Sequence, residues 1–130
     1  MNRLTIDVGA GDYAIIRYPK GFRVPAGLLD GEDDGLVSVT RTSAEMSIVC
    51  PTSRAPAGET TESGWRLLTV RGPLEFTLTG IMASLSGSLA AAGVALFALS
   101  TFDTDHVLVK EADLARAVAA LREAGHQVYE

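Results

Sequence analysis

The chain has 130 residues, of which 47% are hydrophobic and 21% charged, and a formal net charge of −5. That balance belongs to a globular chain, long enough for one ordinary domain or for two small ones that share a core and dimerise. Its lysines and arginines are dispersed, which argues against nucleic-acid binding. Its longest apolar run, Leu89 to Leu99, falls short of the ~20 residues of a membrane span, and the lone Cys50 excludes an intramolecular disulfide or a CxxC motif.

Leu4 to Val8 alternates apolar and polar residues and predicts a half-buried strand. No basic, apolar leader precedes it, so a cytoplasmic location is expected. Gly9 to Asp12 reads as a turn, and Tyr13 to Tyr18 as a second β-run that stops at Pro19. Val24 to Leu29 is a short helix candidate, with Pro25 admissible only in its first turn. Asp30 to Gly35 is an acidic, solvated loop. Leu36 to Arg41 and Met46 to Cys50 alternate, are rich in β-branched residues, and predict an antiparallel hairpin across Thr42-Ser43-Ala44-Glu45. Ala55 to Gly64 carries no apolar stripe and reads as a loop or a single helical turn. It marks the boundary between two halves, 1–62 and 63–130.

The second half is more regular. Trp65 to Val70 predicts a strand, and Gly80 to Ala92 a helix with Ile81, Leu85 and Leu89 on one face. Thr79 is placed to cap that helix and Gly93 to end it. Val94 to Leu99 is apolar throughout and predicts a central strand covered on both faces, with His106 to Val109 as its hairpin partner. Glu111 to Ala124 is the clearest helix: Leu114, Val118 and Leu121 share a face, and Glu111 and Asp113 favour its N-terminal dipole. Gln127 to Tyr129 closes as an edge strand. The order strand, helix, strand, strand, helix, strand is a ferredoxin-like βαββαβ unit. The first half repeats it weakly. The expected fold is therefore α+β: two ferredoxin-like βαββαβ units with antiparallel sheets, paired side by side.

The chemistry-bearing residues cluster in the second half. A helix start presents backbone N–H groups that suit a carboxylate, and Gly80 lets a ligand approach Gly80, Ile81 and Met82 with no Cβ in the way. Asp103-Thr104-Asp105 offers carboxylates to an ammonium or guanidinium. Together they would make a receptor for a free amino acid. Each part also has an ordinary structural reading, Thr79 as a cap and the aspartates as turn formers. Phe76 and Phe102 suit either a pocket wall or the core. No third acidic residue supports a metal site, and no GxSxG elbow or other catalytic signature accompanies Cys50, His106 or Asp103. Gly9-Ala10-Gly11 lacks the third glycine of a phosphate loop and precedes a β-run. His106 is expected to be structural or at the surface, and His126 to be a surface residue.

Several of these strings resemble ACT domains, the small amino-acid-binding regulatory modules. They are the small residues at the strand–helix junction Thr79-Gly80-Ile81, the entry Leu89-Ala90-Ala91-Ala92-Gly93-Val94 and the segment Gly72-Pro73-Leu74-Glu75-Phe76. Leu99-Ser100-Thr101-Phe102-Asp103-Thr104-Asp105 is the most specific. It resembles the branch that holds the CASTOR-type arginine sensors and small bacterial tandem-ACT proteins. Ser38 to Thr42 and Glu45 to Cys50 look like the bacterial members. In this chain Glu75 stands where the sensors carry a glycine, and Leu78 where they carry an acidic residue.

The resemblance implies a ligand at an ACT–ACT interface, within the chain or between two chains, against Thr101 and Phe102 at the strand end. Asp105 matches an aspartate that contacts ligand in the arginine sensors. The expected site is thus Thr79, Gly80, Ile81, Met82, Thr101, Phe102, Asp103 and Asp105. The expected function is a non-enzymatic regulatory module, with no cofactor, that binds a free amino acid and couples it to a homodimer or higher oligomer, or to a separate protein partner. A ligand-free assembly module is one alternative. A small enzyme using the aspartates as general acid and base is another.

Overall fold

The computed structural model describes residues 3–31, 35–58, 60–75 and 79–130. They form two compact units: Met1–Ala10 with Arg66–Glu130 (unit 1), and Gly11–Trp65 (unit 2). The expected halves, 1–62 and 63–130, differ from these chiefly in the first strand, which joins the second half.

Unit 2 is built from β2 (Tyr13–Pro19), β3 (Ser38–Arg41), β4 (Glu45–Pro51) and the first half of β5 (Thr60–Val70). They pair antiparallel in the order β3-β4-β2-β5. Alternation buries Ala14, Ile16 and Tyr18 of β2 beside Met46, Ile48 and Cys50 of β4, and Leu28 packs onto them. The expected helix at Val24–Leu29 is absent; Val24 and Pro25 are irregular and Ala26 to Leu29 form a turn. Gly27 is left-handed (φ 82°), a conformation no right-handed helix contains. The Arg54 guanidinium then takes the carbonyls of Gly27, Leu28 and Asp30 at 3.2, 2.7 and 2.6 Å. The expected loop at Ala55–Gly64 is also partly corrected. Thr60 to Gly64 is strand, held to β2 by the pairs Ile15↔Glu62, Ile16↔Thr61 and Arg17↔Thr60. Backbone pairing, invisible in this polar stretch, decides its conformation.

Unit 1 runs β5, α1 (Ile81–Ala91), β6 (Leu96–Ser100), β7 (Asp105–Lys110), α2 (Leu114–Glu123) and β8 (Gln127–Tyr129), a βαββαβ order, with β1 (Thr5–Val8) added. Strand β1 lies between β5 and β8, antiparallel to the first (Ile6↔Val70) and parallel to the second (Ile6↔Val128). On the other side β5 pairs with β7, and β7 with β6. Ile81, Leu85 and Leu89 of α1 and Ala117, Val118 and Leu121 of α2 bury the helical stripes against Ile6, Leu68, Val107 and Val109. The segment expected to be a central strand is β6, which among the described residues pairs only with β7 and has Ala98 exposed. An apolar run alone does not place a strand in its sheet.

His126, expected at the surface, is 4% exposed. Its Nδ1 accepts the Leu4 N–H at 3.1 Å, which assigns the proton to Nε2, 3.4 Å from Ser84 Oγ on α1. His106 is also buried, with Nδ1 at 2.9 Å from Thr69 Oγ1. Burial lowers the pKa of both imidazoles, opposed at His106 by Asp105. A folded-state pKa below the unfolded value near 6.5 means the unfolded chain binds protons first as pH falls. The stability these residues contribute is therefore complete above about pH 6.5 and declines below it, as the imidazoles are forced to ionise. Urea midpoints measured between pH 7.5 and 5 should fall, and His126→Asn, which keeps an acceptor for Leu4 without titrating, should flatten that dependence.

Candidate functional site

The geometry begins at α1. Its N-cap is Gly80 in a left-handed conformation (φ 82°), with no side-chain cap; Thr79 is exposed and does not cap the helix. The bond from Ser84 N to Gly80 O (2.8 Å) is of the i→i−4 type, so the amides of Ile81, Met82 and Ala83 precede it and have no acceptor within the helix. They carry the positive end of the helix dipole.

The turn between β6 and β7 faces this helix start across a cavity of about 320 Å³. Register pairs Ser100 with Asp105, and the Ser100 hydroxyl donates to Asp105 Oδ1. Thr101 N donates to Thr104 O at 2.8 Å and closes the turn. Two further bonds anchor it to the chain leaving β5: Leu74 N to Asp103 O (2.6 Å) and the Thr104 hydroxyl to Val70 O. Gly72 lies under the same turn, where a Cβ would stand 2.9 Å from Asp103 O and 3.2 Å from Thr104 Cβ. The aspartates thus sit on a turn pinned from below.

Gly80, Ile81, Met82, Thr101, Phe102, Asp103 and Asp105 all line this cavity; of the expected set only Thr79 does not. Phe102 is 78% exposed at the rim. Phe76 and Leu78 lie outside the described residues. Leu74, Glu75, Ala83, Ser100 and Thr104 also line the cavity, beyond the expected set. Ser100 was legible, since a hairpin across Thr101–Thr104 sets it opposite Asp105. Glu75 carried no such signal, because it reaches the cavity through an irregular segment. Among the described residues, three carboxylates line the cavity (Glu75, Asp103 and Asp105) and no lysine, arginine or histidine does. Among the described residues no three His, Cys, Asp or Glu side chains group as metal ligands. Burial raises the pKa of the Cys50 thiol, which lies within the core of unit 2. Among the described residues no helix is long and apolar enough to cross a membrane.

A βαββαβ unit with an uncapped helix start opposite an acidic hairpin turn defines a small α+β module with a ligand-sized cavity. Residues 60–123 match the ACT domain family. A crystal structure of an Agobacterium tumefaciens protein superposes with a TM-score of 0.88 at 37% identity, covering 99% of this chain and 94% of that one. Residues 60–123, just under half of the chain, are thus an ACT domain. It is 39% identical over 66 residues to the human protein named cytosolic arginine sensor for mTORC1 subunit 1, a match spanning 48% of this chain and 20% of that relative. The regulatory subunit of aspartate kinase from Thermus thermophilus shares the fold, with a TM-score of 0.64 at 12% identity over 95% of this chain and 99% of that one.

Gly72→Ala would drive a methyl group against a backbone carbonyl that cannot rotate away. It should cost about 1–3 kcal/mol, the usual range for overpacking, as a lowered urea midpoint.

Proposed function

We propose that the chain is an amino-acid-binding regulatory module whose ligand occupies the cavity between the start of α1 and the β6–β7 turn. The observation that carries the reading is the convergence of unpaired helix amides and carboxylates on one cavity of about 320 Å³. That volume lies near the lower end of small-molecule pockets, ~300–1,000 Å³, and suits a free amino acid. The ligand carboxylate meets the amides at Gly80 to Ala83, where the helix dipole favours negative charge. Its cationic group meets Asp105 and Asp103, with the carbonyls of Thr101 and Phe102 at the strand end. Asp105 Oδ1 already accepts from Ser100, which orients the carboxylate and leaves Oδ2 for the ligand. Three carboxylates against one helix terminus favour an amino acid with a second positive charge in its side chain. The human relative, named as an arginine sensor, agrees with that charge balance.

Regulation follows if the cavity is completed by a second ACT unit. Binding would then change how copies of the chain pair, or how the chain engages a separate protein. The human relative, named as an arginine sensor, supports a binding role over catalysis by the aspartates.

Thermal unfolding of the full chain against the twenty amino acids and ornithine at millimolar concentration tests this reading. A ligand at about 100 times its Kd should stabilise the fold by ~2.7 kcal/mol, a clear rise in Tm. Arginine, lysine or ornithine should give the largest shift, and Asp105→Ala should abolish it while leaving the ligand-free Tm within about 0.5 kcal/mol equivalent. A flat panel would instead favour the ligand-free assembly module.

A further inference from the structure

Unit 2 holds a feature of opposite charge. Among the described residues, the cationic side chains that make no hydrogen bond or ion pair are Arg17, Lys20, Arg23 and Arg41, all in unit 2. The other arginines are engaged: Arg3 on Gly125 O, Arg54 on Leu28 O, Arg66 on Gly9 O, Arg71 on Asp7, Arg116 on Asp113 and Arg122 on Val128 O. Lys110 also has a partner. Residues 17–41 also carry Asp30, Glu32, Asp33 and Asp34, so the segment is neutral overall, and what sets its cations apart is that they are unpaired.

Two of them converge. Lys20 and Arg41 line an open groove of about 570 Å³ together with Gly21, Thr42 and Ser43. The register explains the convergence. Arg41 ends β3 opposite Met46, and Lys20 follows Pro19, which pairs with Glu45. Both cations therefore flank the first residues of β4, one from each neighbouring strand. Among the described residues, no carboxylate lines the groove. Glu45 is the acid closest in register, and its Oε1 instead accepts the Ser47 hydroxyl at 2.7 Å. Thr42 Oγ1 accepts the amides of Ala44 and Glu45, both at 3.1 Å, which fixes the β3–β4 turn and sets Ser43 at its tip.

A planar guanidinium, an ammonium and a serine hydroxyl around one groove form the donor set that phosphoryl oxygens accept from. We propose that this groove binds the phosphoryl group of a small phosphorylated molecule, as a second site independent of the amino-acid cavity. The site is exposed, so binding falls with added salt.

The test is calorimetric titration of pyrophosphate and of inorganic phosphate into the full chain at fixed ionic strength, with citrate as a polycarboxylate of comparable charge. Saturable pyrophosphate binding is expected, at least tenfold weaker in K20Q/R41Q and unchanged in Asp105→Ala and in Arg116→Gln. Each single variant, Lys20→Gln or Arg41→Gln, should weaken it at least threefold, which keeps the test open if the double variant fails to fold. Absence of saturation, equal loss in Arg116→Gln, or citrate binding as tight as pyrophosphate would each overturn the proposal.

Discussion

The backbone ladder that seats β1 between β5 and β8 is the constraint on which unit 1 depends. Gly9 N to Leu67 O and Arg71 N to Thr5 O close one edge of that strand, and Gln127 N to Leu4 O the other. Ile6 is then 1% exposed beneath both helices. Side chains reinforce the same seam. His126 accepts from Leu4 and reaches Ser84 on α1, while Arg71 pairs with Asp7 at 2.6 Å and lies 5.1 Å from the centre of the Tyr129 ring. Because the Asp7–Arg71 pair is exposed and screened by solvent, its own contribution is small, and the seam rests mainly on the ladder and on burial. Through Ser84 the seam also touches the helix whose first turn faces the cavity.

Much of this architecture was legible in the residues. The stripes of α1 and α2, the alternation of β2 and β4 and the short final strand all follow from side-chain spacing, and each element lies within a few residues of its expected bounds. The failures share a cause. Thr60 to Ser63 is polar and becomes strand because β2 supplies its hydrogen bonds; Val24 to Leu29, a short helix candidate, yields to its own left-handed Gly27 and to Arg54. In both places contacts distant in sequence override local preference. The same holds for β6. Its apolar composition suggested burial on both faces, yet no local pattern tells which neighbours a strand acquires.

The cavity follows the same division. Its two opposing walls were readable as a helix start and an aspartate pair. What local patterns could not supply was the underpinning: Gly72 beneath the turn, Leu74 and Thr104 tying it to the end of β5, and Glu75 adding a third carboxylate. The helix start lacks a capping side chain, and its first-turn amides face the cavity. A capping serine or aspartate at that position would compete with an incoming carboxylate for those N–H groups.

The seating of β1 also fixes an order of events during synthesis. Leu4 and His126 are 122 residues apart, and the parallel pairing of β1 with β8 needs residues 127–129. At roughly 5–20 residues per second, the first strand waits at least several seconds beyond the ribosome before its last partner emerges. Unit 2, contiguous from Gly11 to Trp65, has all its strands long before then. Residues 11–65 can therefore close first, while the half-apolar strand β1 ahead of them stays open to chaperones until residues 127–129 have been made.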